Sequence, residues 1–90
     1  MPSLIAIYGP DEETRVDEQL ERLSRATAEA RRRDVGYLEV RRQPQAAMFR
    51  QLADLAPDVF AVLLISDSAE IARWDHVVEP DAIWRAFDAG

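Results

Sequence analysis

The most constraining feature of this 90-residue chain is an unbroken apolar run from Leu4 to Tyr8, which is followed directly by Gly9 and Pro10. A short apolar run that stops at a glycine and a proline is typical of a strand buried on both faces and ended by a turn. Such a strand lies inside a sheet, because its backbone needs a hydrogen-bonded neighbour on each side. The run therefore predicts the central strand of an α/β sheet with helices on both faces.

After this strand the apolar period becomes that of a helix. Between Asp11 and about Asp34, small or apolar residues recur at spacings of four and three, which predicts one long helix with a single buried stripe: Val16, Leu20, Leu23, Thr27 and Ala30. A second helix is predicted from Ala46 to Leu55, with an apolar side formed by Met48, Phe49 and Leu52. Pro80 opens a last helix, whose core face is formed by Ile83, Trp84 and Phe87.

Three further segments are predicted to be strands: Val35 to Val40, Phe60 to Ile65 and Glu70 to Val77. The last two are joined by a tight turn at Asp67, Ser68 and Ala69. The order is β-α-β-α-β-β-α within one domain, residues 1–90. A right-handed β-α-β unit makes the first two strands parallel neighbours. The closing hairpin must then join the free side of the first strand, which predicts a mixed four-stranded sheet of order 2-1-3-4.

The composition excludes several kinds of function. The formal net charge is -6, which argues against nucleic acid and anionic membrane surfaces as partners. The chain has no cysteine, so disulfides, thiolate metal sites and thiol nucleophiles are excluded, and we predict no cofactor. No apolar stretch is long enough for a membrane span, and the N-terminus has no signal-peptide pattern, so the chain as written is expected in the cytoplasm. An exported chain whose signal peptide had been removed would look the same.

The order of elements resembles the core of the thioredoxin fold without its usual first strand and helix. The resemblance is more specific in three segments, LIAIYGPDEETRVDEQLERL, RRRDVGYLEV and DVFAVLLISDSAEI. These resemble a bacterial thioredoxin-like family known only as domain of unknown function 4174. A bacterial source also agrees with the use of arginine for all 11 basic residues. The resemblance implies a three-layer thioredoxin-like sandwich, although Ser68 and Ala69 replace the glycine-containing hairpin turn usual in that family.

The same resemblance directs attention to the turn after the first strand. Redox-active thioredoxins carry Cys-X-X-Cys there, with a thiolate held at the helix N-terminus. In this chain Phe60 stands where thioredoxins place a cis-proline opposite that turn, and the turn itself holds Gly9, Pro10, Asp11, Glu12 and Glu13. Thiol redox activity is therefore excluded. These six residues are candidates for a binding site, and no catalytic, cofactor or metal residue is assigned.

Three clusters suggest chemistry, and each also has a plain structural explanation. The acidic turn with Asp17 could supply oxygen ligands to Ca²⁺ or Mg²⁺, but acids in a first helical turn are the ordinary complement of the helix dipole. Asp75, His76 and Glu79, together with Ser66 or Ser68, suggest a nucleophile and base, but a solvated strand end explains them as well. The residues from Arg31 to Arg33, with Arg41 and Arg42, suggest a basic patch at one end of the sheet.

We interpret the chain as a non-catalytic thioredoxin-like binding or accessory module. The alternative is a thiol-independent enzyme or metal-binding protein that uses the acidic turn or His76. A protein partner or a homodimer is expected along the strand from Val35 to Val40, because an outer strand exposes unpaired backbone groups. The other outer strand carries Arg73, Asp75 and His76, which discourage pairing. The residues expected to contribute to self-association are Val35, Tyr37, Leu38 and Glu39, with Tyr37 and Leu38 on opposite faces.

Overall fold

A computed structural model of the chain describes residues 3–10, 13–41 and 44–89. These residues form the elements β1 (Ser3–Tyr8), α1 (Thr14–Ser24), α2 (Thr27–Arg32), β2 (Val35–Val40), α3 (Ala46–Leu52), β3 (Ala61–Ser66), β4 (Ala69–Trp74) and α4 (Pro80–Ala89). The predicted order is confirmed, except that the long first helix is divided into α1 and α2. The bounds predicted for β2 and the start predicted for α4 are confirmed, whereas β4 ends three residues before the predicted Val77.

The sheet has the order β2-β1-β3-β4, as predicted. β1 and β2 are parallel, with an unbroken register from Ser3 beside Val35 to Tyr8 beside Val40. β1 and β3 are antiparallel, and so are β3 and β4. The β3–β4 register shifts between Leu64 and Ile65, which leaves Ile71 as an extra residue in β4. The two edges of the sheet therefore differ: β2 is a regular strand and β4 is a bulged one.

The predicted single helix is interrupted at residues 25–26. The amide of Ala26 donates to the carbonyl of Leu23 at 3.0 Å, three residues back instead of four. The hydroxyl of Thr27 donates to the carbonyl of Ser24 at 2.9 Å, so a side chain satisfies an acceptor that a continuous helix would pair. Thr27 is exposed, so its predicted place on the buried stripe is wrong. The other members of the stripe are buried or half-buried: Val16, Leu20, Leu23 and Ala30.

The core lies on both faces of the sheet, because successive residues of a strand point to opposite sides. On one face, α1, α2 and α4 cover a large cluster that includes Ile5, Ile7, Leu64, Ile83 and Trp84. On the other face, α3 covers a smaller cluster of buried residues: Ala6, Tyr8, Val40, Ala46, Ala61 and Leu63. Each large apolar side chain buried in this way contributes about 1.5–3 kcal/mol to folding.

α3 is shorter than predicted and more exposed. It ends at Leu52, because Asp54 takes a left-handed backbone conformation with φ 58°. The amides of Asp54 and Leu55 donate to the carbonyls of Gln51 and Arg50 at 3.1 and 2.8 Å, which is the pattern of a Schellman ending. Met48 and Leu52 are 52% and 78% exposed, so of the predicted apolar side of this helix only Phe49 is partly buried. This helix is only seven residues long and covers only part of its sheet face.

Candidate functional site

The turn after β1 begins at Gly9, which is held by packing and by its backbone. The Gly9 amide donates to the carbonyl of Val40 at 3.4 Å, and its carbonyl accepts from Nη2 of Arg50 at 2.8 Å. A Cβ atom at Gly9 would lie 2.5 Å from Cγ2 of Val16, which is too close for any real contact. Gly9 is therefore required for the close approach of β1 to α1, and Pro10 follows it into the turn.

Glu13 connects this turn to α1. Its amide donates to the carbonyl of Pro10 at 3.0 Å, and its backbone is extended at the position before the helix. Its carboxylate forms an ion pair with Arg15 and makes no hydrogen bond to the helix N-terminus. Nη1 of Arg41 donates to the carbonyl of Glu13 at 3.4 Å. Of the predicted site residues, Asp11 and Glu12 lie outside the described residues, so their role stays a prediction.

Phe60 is buried beside the same turn. The guanidinium carbon of Arg15 lies 4.8 Å from the centroid of the Phe60 ring, a cation–π distance. The structure therefore joins two predicted site residues, Glu13 and Phe60, through Arg15, which sequence reasoning did not single out. The side chains that meet here are a paired carboxylate and guanidinium above an aromatic ring. None of the three side chains is a thiol, and the carboxylate of Glu13 is held in its ion pair with Arg15.

The cluster around His76 is solvated. Nδ1 of His76 and Oδ1 of Asp75 are 3.0 Å apart, and this hydrogen bond lowers the pKa of Asp75. The side chain of His76 is 66% exposed. The Ser66 hydroxyl is paired with that of Ser3 at 2.9 Å, and Glu79 forms an ion pair with Arg22. Within the described part of the chain, His76 and Asp75 pair with each other, whereas Ser66 and Glu79 are bound to residues outside the suggested nucleophile and base set.

No group of three acidic or histidine side chains placed to hold a metal ion occurs within residues 3–10, 13–41 and 44–89. The acidic turn cannot be judged by this result, because Asp11 and Glu12 are outside those ranges. In the same ranges, no helix has the length and apolar character needed to span a membrane.

The predicted basic patch at one end of the sheet is wrong. Arg33 precedes β2 and Arg41 follows it, and a strand of six residues separates them by about 20 Å. Nη2 of Arg33 is 2.9 Å from Oδ2 of Asp88, and hydrogen bonds to Asp88 and Glu29 raise the Arg33 pKa. Arg41 forms ion pairs with Asp17 at 3.0 Å and with Glu39 at 3.2 Å. Arg42 lies outside the described residues.

The outer edge of β2 has the geometry required for strand pairing. The Ser3 amide donates to the Asp34 carbonyl at 3.5 Å, and the Gly9 amide donates to the Val40 carbonyl at 3.4 Å. In a parallel pair, bonding residues alternate along each strand, so even-numbered residues of β2 point their backbone groups toward β1. The backbone N–H and C=O groups of Val35 and Tyr37 consequently point outward, away from the sheet.

The side chains of β2 follow the predicted division between the two faces. Tyr37 packs against the larger cluster, and its hydroxyl donates to the carbonyl of Leu23 at 3.1 Å. Leu38 packs against the smaller cluster on the opposite face. Burial of the Tyr37 ring raises the pKa of the Tyr37 hydroxyl. The side chain of Glu39 is held by Arg41.

An apolar groove lies on the sheet face beside α3, and sequence reasoning missed it. Its volume is about 390 Å³. It is lined mainly by apolar side chains from β1, β2, β3 and α3: Leu4, Ala6, Tyr8, Leu38, Phe49, Leu52, Leu63 and Ile65. The available signal was the apolar side predicted for the second helix, which has more apolar residues than a seven-residue helix can bury.

Comparison with solved structures identifies the fold. A structure described as that of a malarial protein has a TM-score of 0.75 and 11% identity, covering 99% of this chain and 97% of that one. Thioredoxin-2, a component of malaria parasite protein secretion machinery, also has a TM-score of 0.75 and 11% identity, covering 99% of this chain and 84% of that one. This chain has a thioredoxin-like fold. Thioredoxin f2 of Chlamydomonas reinhardtii has a TM-score of 0.70 and 12% identity, covering 97% of this chain and 78% of that one.

Comparison of the sequence with protein families and curated proteins identifies no relative. No protein-family model matches the chain, and no curated protein sequence matches it significantly. The thioredoxin-like part of the predicted resemblance is therefore confirmed by structure, and its assignment to domain of unknown function 4174 is not. The described residues contain no cysteine, in agreement with the full sequence.

Proposed function

We propose that this chain is a non-catalytic thioredoxin-like binding or accessory module, whose β2 edge pairs with a strand of a protein partner or of a second copy. The chemistry of the turn after β1 supports the first part. Glu13 and Arg15 neutralise each other above Phe60, and the chain has no cysteine to supply a thiolate. A site built from such groups favours binding over bond-making chemistry.

The observation that carries the second part is the outward backbone of Val35 and Tyr37 on a strand with unbroken register. Such an edge is a template for another strand, which would continue the backbone hydrogen bonds of the sheet. The opposite edge differs, because the extra residue Ile71 bends β4 and Arg73 places a charge on it. Pairing along β2 is therefore favoured over pairing along β4.

Analytical ultracentrifugation over a range of concentrations tests pairing with a second copy. We expect a weak dimer that strengthens as salt is added, because salt screens the repulsion between two chains of net charge -6. The Gly36→Lys variant adds a charged side chain to β2, the strand whose edge is proposed to pair, and should weaken the dimer. Ile71→Lys is the matched control on β4 and should leave it unchanged. A chain that stays monomeric contradicts pairing with a second copy, and a dimer sensitive only to Ile71→Lys contradicts the choice of β2.

The alternative function, a thiol-independent enzyme or a metal-binding protein, has its own test. A bound Ca²⁺ or Mg²⁺ ion must raise the melting temperature by mass action. If either ion raises it in wild type and much less in Glu13→Gln, the acidic turn binds metal and the proposal of a metal-free binding module fails. Since His76 is exposed and its described partner is Asp75, the structure offers no specific observation in favour of catalysis there.

The source and location of the protein are part of the same proposal. The segments LIAIYGPDEETRVDEQLERL and DVFAVLLISDSAEI support kinship with the bacterial family of domain of unknown function 4174. A cytoplasmic location, or export if a signal peptide has been removed, stays a prediction that fractionation of the source cells would test.

A further inference from the structure

One face of the sheet is only partly covered. α3 has seven residues and a length of about 10 Å, whereas the strands beneath it have six residues and run about 20 Å. Tyr8 and Val40 lie under the helix and are buried, while Leu4, Leu38 and Ile65 are only half-buried. About half of this face is therefore open, and its surface is apolar.

The open half forms the groove beside α3. Leu4, Ala6 and Ile65 belong to its floor, and Phe49 and Leu52 of α3 form one wall. Leu52 is 78% exposed, so this wall projects an apolar side chain that no described residue covers. The groove continues toward the start of β2, where Gly36 and Asp34 line its open end. An exposed leucine beside an apolar floor offers a contact for the apolar face of an amphipathic helix.

The rim of the groove is acidic. Asp34 lines the open end, and Asp67 lies in the β3–β4 turn next to Ser68, which lines the same end. Both are exposed, and neither forms a salt bridge with any described residue. Glu70 also lines the groove, and Arg73 neutralises it through contacts of 2.7 and 2.9 Å. The charge left on the rim is negative, which favours a positively charged occupant.

The dimensions of the open area favour a single helix over a whole second copy of the chain as its occupant. Four strands span about 14 Å, and the uncovered half of their length is about 10 Å, so the open area is on the order of 150 Å². A stable dimer buries about 800 Å² on each partner. One α-helix is about 10 Å wide and would fill the space beside α3, with its apolar stripe on the sheet.

We propose that this groove binds a basic amphipathic helix of a partner protein. The apolar stripe of that helix packs against Leu4, Leu52 and Ile65, and its lysine or arginine side chains lie beside Asp34 and Asp67. The inference rests on the proposed function only in that the occupant is a protein, and it uses a surface other than the outer edge of β2.

The test is an NMR titration of the ¹⁵N-labelled full chain with a synthetic helical peptide of about 14 residues, or four turns. Leucines at helical spacing form one face of the peptide and lysines the other; a matched peptide carries glutamate at each lysine position. We expect saturable shifts at Leu4, Leu38 and Ile65 with the lysine peptide and about tenfold weaker binding of the glutamate peptide. Equal binding of both peptides, or shifts confined to the opposite sheet face, would overturn the proposal.

Variants of exposed residues make the test specific. Leu52→Glu should weaken the lysine peptide about tenfold, while Met48→Glu, on the same helix but outside the groove, should leave binding unchanged. Asp34→Asn combined with Asp67→Asn keeps residues that tolerate a left-handed backbone and should remove most of the preference for the lysine peptide. Unchanged binding by Leu52→Glu contradicts the groove, and an unchanged preference in the double variant contradicts the role of the rim.

Two other occupants are separate outcomes that would overturn the proposal. If Leu52→Glu abolishes a dimer of the chain itself, the groove binds a second copy. If neutral detergent micelles shift the groove signals at lower concentration than the lysine peptide does, the groove binds an acyl chain. If the lysine peptide does not bind while the β2 edge still pairs, the proposal of a helix in the groove is refuted and the proposed function of the β2 edge is unaffected.

Discussion

The side-chain amide of Gln19 is bound to both backbone polar groups of Val78. Nε2 of Gln19 donates to the Val78 carbonyl at 2.9 Å, and Oε1 accepts from the Val78 amide at 2.8 Å. Gln19 is fully buried on α1, and Val78 precedes α4, so this pair of bonds joins two helices that cover the same sheet face. A buried polar side chain is tolerated here because each of its hydrogen-bonding groups is satisfied.

Replacing this glutamine by an apolar residue should destabilise the fold. In Gln19→Leu the volume is nearly kept, but the Val78 amide and carbonyl lose their partners, at a cost of about 2–4 kcal/mol in the free energy of unfolding. Chemical denaturation measures the loss. Gln51→Leu, at an exposed position on α3, is the control and should change the same quantity by less than about 0.5 kcal/mol. Equal effects of the two variants would show that the bonds to Val78 contribute nothing.

Gly9 should tolerate no side chain. Its added Cβ would lie 2.5 Å from Cγ2 of Val16, so Gly9→Ala forces β1 and α1 apart and should cost about 1–3 kcal/mol. Gly36→Ala is the matched control, because its Cβ would meet only Cδ1 of Leu4 at an ordinary 3.8 Å. Thermal melting of the two variants compares them directly. A melting temperature for Gly9→Ala equal to that of Gly36→Ala would contradict the close approach.

The hairpin turn should be improved by glycine. Asp67 and Ser68 both have positive φ, 53° and 65°, as the central residues of a two-residue type I′ turn must. Because a non-glycine residue is strained there, Ser68→Gly should stabilise the chain by about 1 kcal/mol and raise its melting temperature by about 4–8 °C. Ala69→Gly, one residue later at the start of β4, should lower it. A lower melting temperature for Ser68→Gly would refute this account of the turn.

The ion pair of Asp88 with Arg33 should make stability depend on pH. Hydrogen bonds from Arg33 lower the pKa of Asp88 in the folded chain. The stabilisation is therefore complete above the unfolded pKa of about 3.9 and is lost as pH falls through the lower folded value. Melting temperatures should show Asp88→Asn less stable than wild type at neutral pH, with the gap closing in acid. The exposed Asp58→Asn is the control, and a gap for Asp88→Asn that persists in strong acid contradicts the pairing.

The sequence predicts the sheet well because its signals are local. The runs Leu4–Tyr8 and Val35–Val40 mark their own strands, and the chain order then allows few ways to arrange them. The same order also places a whole strand between Arg33 and Arg41, so the sequence already held the reason not to predict a basic patch there. The break in the helix before Thr27 could not be predicted from the sequence, because the apolar period continues through it and only the backbone hydrogen bonding changes.

Prediction is weaker wherever a side chain depends on distant residues. Gln19 falls between Val16 and Leu23 at helical spacing, which marks it as inward-facing, but its partner Val78 is 59 residues away. For Leu52, an apolar side on a helix predicts burial, and the length of α3 relative to the sheet decides against it. At the turn after β1, Glu13 and Phe60 are connected through Arg15. The position of Arg15 above the Phe60 ring could not be predicted, because nothing in the sequence signals it.

The most direct test of the binding function is hydrogen exchange of the β2 amides, measured residue by residue as the protein concentration is raised or a partner is added. The amides of Gly36 and Leu38 point toward β1 and should be protected at all concentrations, while those of Val35 and Tyr37 point outward and should exchange quickly in the monomer. Our account predicts that association slows exchange at Val35 and Tyr37 and leaves β4 unchanged. Association that slows exchange along β4, or that leaves the amides of Val35 and Tyr37 fast, would contradict it.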